Sequence, residues 1–155
     1  MTRPPWDIYF LSIVEAVGKR GSCDRGRSGA IIVKDKKILT TGYVGSPPGF
    51  PHCDELGHLL EERISPSGTK STSCIRSIHA ELNTILQAAE FGISVKDSTI
   101  YCSMTPCANC AMAIIRVGIT RVVAKKRYHS DLRSIEMFRD AGIILDIIQD
   151  EVEEY

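Results

Sequence analysis

Two short runs in the sequence carry the side-chain types that metal-assisted hydrolysis requires. Residues 79–81 read His-Ala-Glu, and residues 106–110 read Pro-Cys-Ala-Asn-Cys. One imidazole and two thiolates suit a catalytic zinc ion, because three protein ligands leave the fourth tetrahedral position open to water. Zinc lowers the pKa of a bound water from about 16 towards about 7. We therefore predict that His79, Cys107 and Cys110 hold a zinc ion.

A carboxylate stands two residues beyond the imidazole. Glu81 is placed to take a proton from the water and to deliver it to a ring nitrogen and a leaving amine. Each run alone is weak evidence, since a Cys-x-x-Cys pair also serves redox and structural zinc sites. Together and in this order they match the His-x-Glu and Pro-Cys-x-x-Cys signature of zinc-dependent nucleobase deaminases. In that signature the glutamate is the acid/base and not a ligand, which is the role we predict for Glu81.

Both runs fall where the sequence predicts that a helix begins. Apolar residues recur at helical spacing over 79–91 and over 108–117, and Gly92 and Gly118 are typical helix stops. Residues 98–103 are predicted to form a strand just before the second run. A helix N-terminus offers free N–H groups and a positive dipole end, which favour anions and the thiolate form of cysteine.

The remaining pattern predicts an α/β layered fold. From position 79 onward helices alternate with strands, which is typical of a sheet covered by helices. The other predicted elements are a helix at 6–17, a hairpin of strands 29–33 and 38–43, a strand at 121–124, a helix at 130–141 and a strand at 143–148.

Two segments lack such periodicity. Residues 44–77 are rich in glycine, proline, serine and charge, and predict a long loop that something else must keep in place. The acidic residues 150–155 predict a frayed tail.

Composition limits the classes of partner. The 155 residues predict one domain, 1–155, and the 19 basic and 19 acidic residues give zero net charge. That balance argues against a nucleic-acid-coating protein and does not exclude a small phosphorylated ligand. The sequence shows no secretory signal and no apolar run of about 20 residues, so we expect no membrane partner and a cytoplasmic location. In that compartment six cysteines indicate metal ligands or free thiols.

On these residues the chain resembles the deoxycytidylate (dCMP) deaminases of the cytidine deaminase superfamily. Besides the two runs above, the matching segments are 23–25 and 29–33, then 42–49 (Gly-Tyr-Val-Gly-Ser-Pro-Pro-Gly), 51–54, 74–83 and 106–111. The resemblance covers nearly the whole chain. It implies a three-layer fold with a mixed five-stranded sheet flanked by helices. It also implies hydrolysis of dCMP to dUMP and ammonia, which supplies dUMP for thymidylate synthesis, in an enzyme that is often a homohexamer activated by dCTP and inhibited by dTTP.

Three further cysteines are not explained by the predicted catalytic centre. They are Cys23, Cys53 and Cys74, and related deaminases often hold a second, structural zinc with residues from these regions. The fourth ligand is His58 or His52, and His58 is preferred because a histidine adjacent to Cys53 would strain one tetrahedron. The alternative is three buried free thiols.

The resemblance also indicates substrate contacts. Arg25 and Arg27 precede the first hairpin strand, where the family places arginine near the nucleotide phosphate, although surface arginines are commonly only solvated. Ala80 and Asn83 are predicted to face the pocket from the start of the helix. Tyr128 is a candidate stacking or sugar contact, with core packing as the alternative.

One position departs from the family pattern. Val44 stands where relatives usually carry an asparagine beside the nucleotide, so one polar contact is missing. Either another group compensates, or the substrate is a 5-substituted dCMP or a differently phosphorylated deoxycytidine such as dCTP. Two further readings are weaker: a deaminase of tRNA or single-stranded DNA, which needs a basic channel, and a non-catalytic zinc module, which has no use for Glu81.

Overall fold

The computed structural model describes all residues, 1–155. Five helices and seven strands follow one another in a mixed order. In chain order they are α1 (Trp6–Gly18), β1 (Gly29–Lys34), β2 (Lys37–Tyr43), α2 (Cys53–Leu56), β3 (Leu60–Ile64), β4 (Lys70–Cys74), α3 (Ala80–Phe91), β5 (Thr99–Met104), α4 (Ala108–Arg116), β6 (Arg121–Lys126), α5 (Leu132–Asp140) and β7 (Ile144–Ile147). The longest helix, α1, has 13 residues, and none of the helices is long and apolar enough to cross a membrane.

A mixed five-stranded sheet forms the middle layer, as the sequence predicts. Its strand order is β2-β1-β5-β6-β7. The strand β1 is antiparallel to both β2 and β5, whereas β5, β6 and β7 run parallel to one another. The parallel half therefore needs crossover helices, and α4 and α5 are those crossovers.

Helices cover both faces of the sheet. Ile31 and Val33 of β1 pack with α1 in one apolar cluster. The alternate residues Ala30 and Ile32 belong to a second, larger cluster formed with residues of α3, α4 and α5. Because β1 is buried on both faces, its sequence is a continuous apolar run without alternating polar residues. The result is the three-layer architecture expected above.

The first hairpin turns through two residues in the left-handed region. Asp35 has φ 49° and Lys36 has φ 62°, the combination found in two-residue turns that match the twist of paired strands. The pairing of Lys34 with Lys37 closes this turn.

The helix α3 lies directly against β2 at a glycine. A Cβ atom at Gly42 would lie 2.4 Å from the backbone nitrogen of Thr84 and 2.6 Å from the carbonyl oxygen of Ala80. No side chain fits in that space, so only glycine permits this approach. The contact fixes the first turn of α3, which carries Glu81.

The prediction of one long loop over residues 44–77 is wrong, because this segment contains regular secondary structure. It contains the short helix α2 and an antiparallel hairpin formed by β3 and β4. All residues of β3 are exposed, so the strand has no buried apolar face that would produce an alternating pattern. This hairpin is a separate two-stranded sheet beside the main one.

The predicted fraying of residues 150–155 is also wrong. The Arg127 N–H donates to the Glu151 carbonyl over 2.8 Å, and the Glu153 N–H donates to the Arg127 carbonyl over 2.9 Å. The acidic composition suggested solvation, but these acids lie against the basic end of β6.

We expect Phe138→Ala to destabilise the fold strongly. Phe138 of α5 is 0% exposed and belongs to the larger apolar cluster, and truncating such a side chain costs about 3–5 kcal/mol through lost burial and a residual cavity. Urea unfolding measures the change. The control is Leu132→Ala on the same helix, where the side chain is 73% exposed and the expected change is within about 0.5 kcal/mol. Equal effects of the two substitutions would contradict this description of the core.

Candidate active site

Two helix starts bring the predicted ligands together. His79 is the residue immediately before α3, and Cys107 is the residue immediately before α4. A pair of backbone hydrogen bonds between Gly45 and Ile78, of 3.1 and 2.9 Å, holds the chain that leads into His79. Cys107 follows the end of β5 after two buried residues, Thr105 and Pro106. Both elements therefore deliver their side chains to the same end of the sheet.

The three donor atoms have the spacing of a zinc site. The Nδ1 atom of His79 lies 3.5 Å from the Cys107 sulfur and 3.6 Å from the Cys110 sulfur. A tetrahedral zinc with bonds of about 2.3 Å to sulfur and about 2.0 Å to nitrogen separates such ligands by roughly 3.6 Å. The residues therefore fit a zinc ion bound by one nitrogen and two sulfur atoms.

The three donors share their protons, and Cys107 is the one shifted towards its metal-binding form. A hydrogen bond from Cys110 and the neighbouring His79 lower the pKa of the Cys107 thiol to about 4, against the effect of burial. The hydrogen bond to Cys107 raises the pKa of His79 to about 9, although burial acts in the opposite direction. The proximity of Cys107, followed by burial, raises the pKa of Cys110. Cys107 thus favours the thiolate, which is the form that binds zinc.

Glu81 lies beside the donor cluster without being part of it. Its side chain is 6% exposed and lines the same cavity as His79 and Cys107, whereas the group of clustered donors comprises only the histidine and the two cysteines. Burial raises the pKa of the Glu81 carboxyl, and the charge of His79 opposes that effect. A carboxylate whose pKa is raised by burial is a stronger base than an exposed one, which suits a proton carrier in general acid–base catalysis.

A partly open cavity lined by 16 residues opens onto these groups. Of the predicted substrate contacts, Arg25, Val44 and Tyr128 line it. Glu81 is the only carboxylate and Arg25 the only lysine or arginine among the lining residues. The cavity therefore has an acid/base group and a separate cationic group.

Three of the predicted substrate contacts lie elsewhere. Arg27 lines a different cavity together with Glu153 and Glu154, because the chain turns at Gly26 in the left-handed region (φ 64°). Ala80 is fully buried in the apolar core. The side-chain amide of Asn83 donates to the carbonyl of Tyr43 over 2.8 Å, so it links α3 to the end of β2 and does not line the cavity.

A second donor cluster lies next to the first. The Cys23 sulfur is 3.6 Å from Nδ1 of His58, and the Cys53 sulfur is 3.6 Å from the Cys74 sulfur. All four donor atoms lie within 4.8 Å of one another, and a tetrahedral zinc separates two sulfur ligands by about 3.8 Å. The Nε2 atom of His58 is 2.9 Å from an Asp24 carboxylate oxygen. Such a carboxylate commonly orients a metal-binding histidine.

The alternative fourth ligand, His52, lies outside this cluster. Its Nδ1 atom is 2.7 Å from the hydroxyl of Ser22, and the residue caps α2. Within the cluster, burial raises the pKa of Cys23 to about 12. At Cys74 burial also acts upward, but backbone N–H groups of Arg76 and Leu59 are among the hydrogen bonds that lower the thiol pKa to about 7. Four donors with one favoured thiolate fit a closed structural metal site.

Residues of both donor clusters line the same cavity. Cys23 and Cys74 line the cavity that His79 and Glu81 line. Val44 packs among Cys23, Cys53 and Cys74 in a small apolar cluster while it also lines the cavity. The second cluster therefore determines where the β3–β4 hairpin and residue 44 stand relative to the catalytic groups.

The structure adds residues that spacing could not indicate. The Thr105 hydroxyl donates to Asp131 over 2.7 Å and accepts from the Tyr128 N–H over 2.7 Å, and Asp131 also pairs with Arg127 at 2.9 Å. This buried network holds Tyr128 at the cavity. Tyr155 also reaches the lining; its only signal in the sequence is an aromatic residue at the end of an acidic run.

The chain is similar in sequence to known proteins. The family described as "Cytidine and deoxycytidylate deaminase zinc-binding region" matches residues 4–126. The deoxycytidylate deaminase of Mycobacterium phage D29 is 36% identical over 129 residues, covering 81% of this chain and 98% of that protein. ComE operon protein 2 of Bacillus subtilis is 34% identical over 149 residues, covering 96% of this chain and 74% of that protein.

A solved structure agrees with these matches. The dCMP deaminase of cyanophage S-TIM5, in complex with dCMP and dUMP, superposes with a TM-score of 0.75 at 25% identity, covering 95% of this chain and 99% of that one. The zinc-binding family confirms zinc as the cofactor. Together, the paired donor geometry, the buried glutamate and these matches show that the chain belongs to the cytidine and deoxycytidylate deaminase family of zinc-dependent enzymes.

Proposed function

We propose that this enzyme hydrolyses dCMP to dUMP and ammonia. The observation that carries the proposal is the buried Glu81 beside the three zinc donors, in a cavity whose only lysine or arginine is Arg25. The phage D29 relative is a deoxycytidylate deaminase, and the cyanophage structure contains dCMP and dUMP. Both support a deoxycytidine monophosphate as the substrate.

The ligand assignment is part of the proposal. We assign His79, Cys107 and Cys110 to the catalytic zinc, and Cys23, Cys53, His58 and Cys74 to a second, structural zinc. The spacing of the donor atoms supports both assignments.

The mechanism requires one proton carrier at the cavity. Zinc, when bound, supplies Lewis-acid activation of a water molecule. Glu81 accepts a proton from that water and donates it to the pyrimidine ring nitrogen N3, which makes C4 more electrophilic. The water oxygen then bonds to C4. Glu81 takes the remaining proton from that oxygen and delivers it to the exocyclic amine, so that the C4–N bond breaks, ammonia leaves and the oxygen becomes the C4 carbonyl of dUMP. Burial raises the pKa of the Glu81 carboxyl, which makes the carboxylate a stronger proton acceptor than an exposed one.

Arg25 is the proposed phosphate contact. Its Nη2 atom donates to the carbonyl of Thr72 over 3.2 Å, and none of the ion pairs in the structure involves Arg25. A guanidinium held by a neutral carbonyl retains its full charge for a bidentate contact with phosphate.

Val44 presents only an isopropyl group to the cavity, because its backbone N–H and C=O are hydrogen-bonded to Ser28 and Ser22 at 3.0 Å each. That apolar surface supports 5-substituted dCMP as the second candidate substrate.

The wider setting belongs to the same proposal. The reaction supplies dUMP for thymidylate synthesis in the cytoplasm, and the six cysteines, all unpaired, suit a reducing compartment.

We further propose a homo-oligomer, a hexamer as in relatives, with dCTP and dTTP as effectors. Exposed apolar side chains on and near the β3–β4 hairpin, including Leu59, Leu60, Ile64 and Ile75, support association between copies.

Glu81→Gln should abolish nearly all deamination and leave the metal in place. The amide cannot carry protons, so we expect kcat for dCMP to fall by about 100- to 10,000-fold. Ammonia release measures the rate, and metal analysis confirms unchanged zinc. Glu136→Gln, on the outer part of α5, is the control with unchanged activity. A Glu81→Gln enzyme with more than a tenth of the wild-type rate would contradict the assignment.

A nucleotide panel tests the substrate assignment. We expect dCMP to be preferred over deoxycytidine and dCTP, and Arg25→Gln to lower kcat/KM for dCMP by about 10- to 100-fold through loss of a charge-assisted hydrogen bond. The activity on deoxycytidine should not change. A clear preference of the wild type for 5-substituted dCMP would replace dCMP by that substrate, and a preference for dCTP would remove the monophosphate assignment.

Metal analysis tests the second site. We expect two zinc ions per chain in the wild type, one in Cys74→Ser and two in His52→Ala, since only the first substitution removes a proposed ligand. The wild-type ratio is decisive even if Cys74→Ser fails to fold. One zinc per chain in the wild type would contradict the second site.

A further inference from the structure

Residues 150–155, here called the strap, bring Tyr155 to the cavity that Arg25 lines. We propose that Tyr155 is a positioning residue for phosphate recognition, which holds the Arg25 guanidinium at the cavity through contact with its aromatic ring. The inference rests on the proposed function, in which Arg25 binds the phosphate of dCMP.

The strap is attached to the end of β6 by backbone and side-chain contacts. Arg127 exchanges hydrogen bonds with Glu151 and Glu153, of 2.8 and 2.9 Å, in an isolated bridge parallel to the strand end. Nζ of Lys126 lies 3.2 Å from Glu151 and 3.0 Å from Glu153. Exposed ion pairs are individually weak, but a cluster on a hydrogen-bonded backbone defines one path for the chain. That path leads Tyr155 back over the active-site end of the sheet.

Tyr155 packs against the backbone beside Arg25. A Cβ atom at Gly26 would lie 3.0 Å from Cε1 of Tyr155 and 3.0 Å from the methyl carbon of Met104. The ring therefore rests on the glycine that follows Arg25, with almost no space between them. Burial raises the pKa of the Tyr155 phenol, whereas the nearby Arg25 acts in the opposite direction. Because this phenol stays neutral near pH 7, it adds no negative charge beside a bound phosphate.

The guanidinium of Arg25 stands between two neutral groups. Its Cζ atom is 5.8 Å from the centre of the Tyr155 ring, within the range of a cation–π contact. On its other side it donates to the Thr72 carbonyl. Both contacts orient the cation and neither neutralises it. Without these two contacts the Arg25 side chain would sample many rotamers, and phosphate binding would have to restrict them at a cost in affinity.

The contribution of Tyr155 should therefore depend on whether the substrate carries a phosphate. A nucleotide monophosphate uses the oriented arginine, whereas deoxycytidine has no group that reaches it. A purely structural role for Tyr155 would affect both substrates equally.

The test compares steady-state kinetics of wild type and Tyr155→Leu on dCMP and on deoxycytidine. We expect KM for dCMP to rise about fivefold, consistent with one partly exposed cation–π contact. We expect kcat to stay within about twofold, and kcat/KM for deoxycytidine to be unchanged. Tyr155→Phe, which keeps the ring, should restore the wild-type KM. Tyr9→Leu, a substitution of a tyrosine on α1, is the control with no effect on either substrate.

A double substitution shows whether the two residues act together. In the Arg25→Gln background, Tyr155→Leu should add no further loss on dCMP, because the group that it positions is gone. The inference is overturned if Tyr155→Leu leaves KM for dCMP unchanged, lowers it, or slows both substrates alike. It is also overturned if the losses in the double variant add. A wild type with no activity on dCMP would remove the proposed function itself, and this inference with it.

Discussion

The structure depends on one geometric constraint: an imidazole and two thiolates must meet within bonding reach of a single metal ion. These donors come from chain segments 28 residues apart, and each approaches from the start of a helix. The parallel pairing of β5 with β6 places the start of α4 at the end of the sheet where α3 also begins. The close contact of Gly42 with α3 then fixes the other helix. Glu81 is oriented by the same turn that orients His79, so acid/base and metal ligand cannot be positioned independently.

The second donor cluster lies beside the β3–β4 hairpin, the part of the fold that the apolar core does not stabilise. Every residue of β3 is exposed, and a two-stranded hairpin with no buried apolar face is at best marginally stable in water. Cys74 at the end of β4 connects that hairpin to Cys23 and Cys53 on two other segments. The structural zinc proposed for this cluster would contribute on the order of 10 kcal/mol, which would be enough to order such a hairpin. The hairpin in turn supplies Thr72, whose carbonyl receives Arg25.

Sequence reasoning predicted the parts of this protein in which the chemistry or the periodicity is local. The His-x-Glu and Cys-x-x-Cys spacings indicated the three donors that the structure brings together, and the apolar periodicity of α3 and α4 indicated the helices that carry them. The hairpin β3–β4 could not be predicted, because every residue of β3 is exposed and the strand shows no alternation of apolar and polar residues. Arg25 and Arg27 looked equivalent, and only the left-handed turn at Gly26 separates them. The strap was mistaken for a solvated tail, since its basic partners lie more than twenty residues away along the chain.

The most direct measurement is anomalous diffraction at the zinc edge from crystals of the purified enzyme. The account predicts a peak about 2.0 Å from Nδ1 of His79 and about 2.3 Å from the sulfur atoms of Cys107 and Cys110, with the Glu81 carboxylate beyond bonding distance of the metal and free to carry protons. A peak bonded directly to Glu81, or no peak among these three donors, would contradict it.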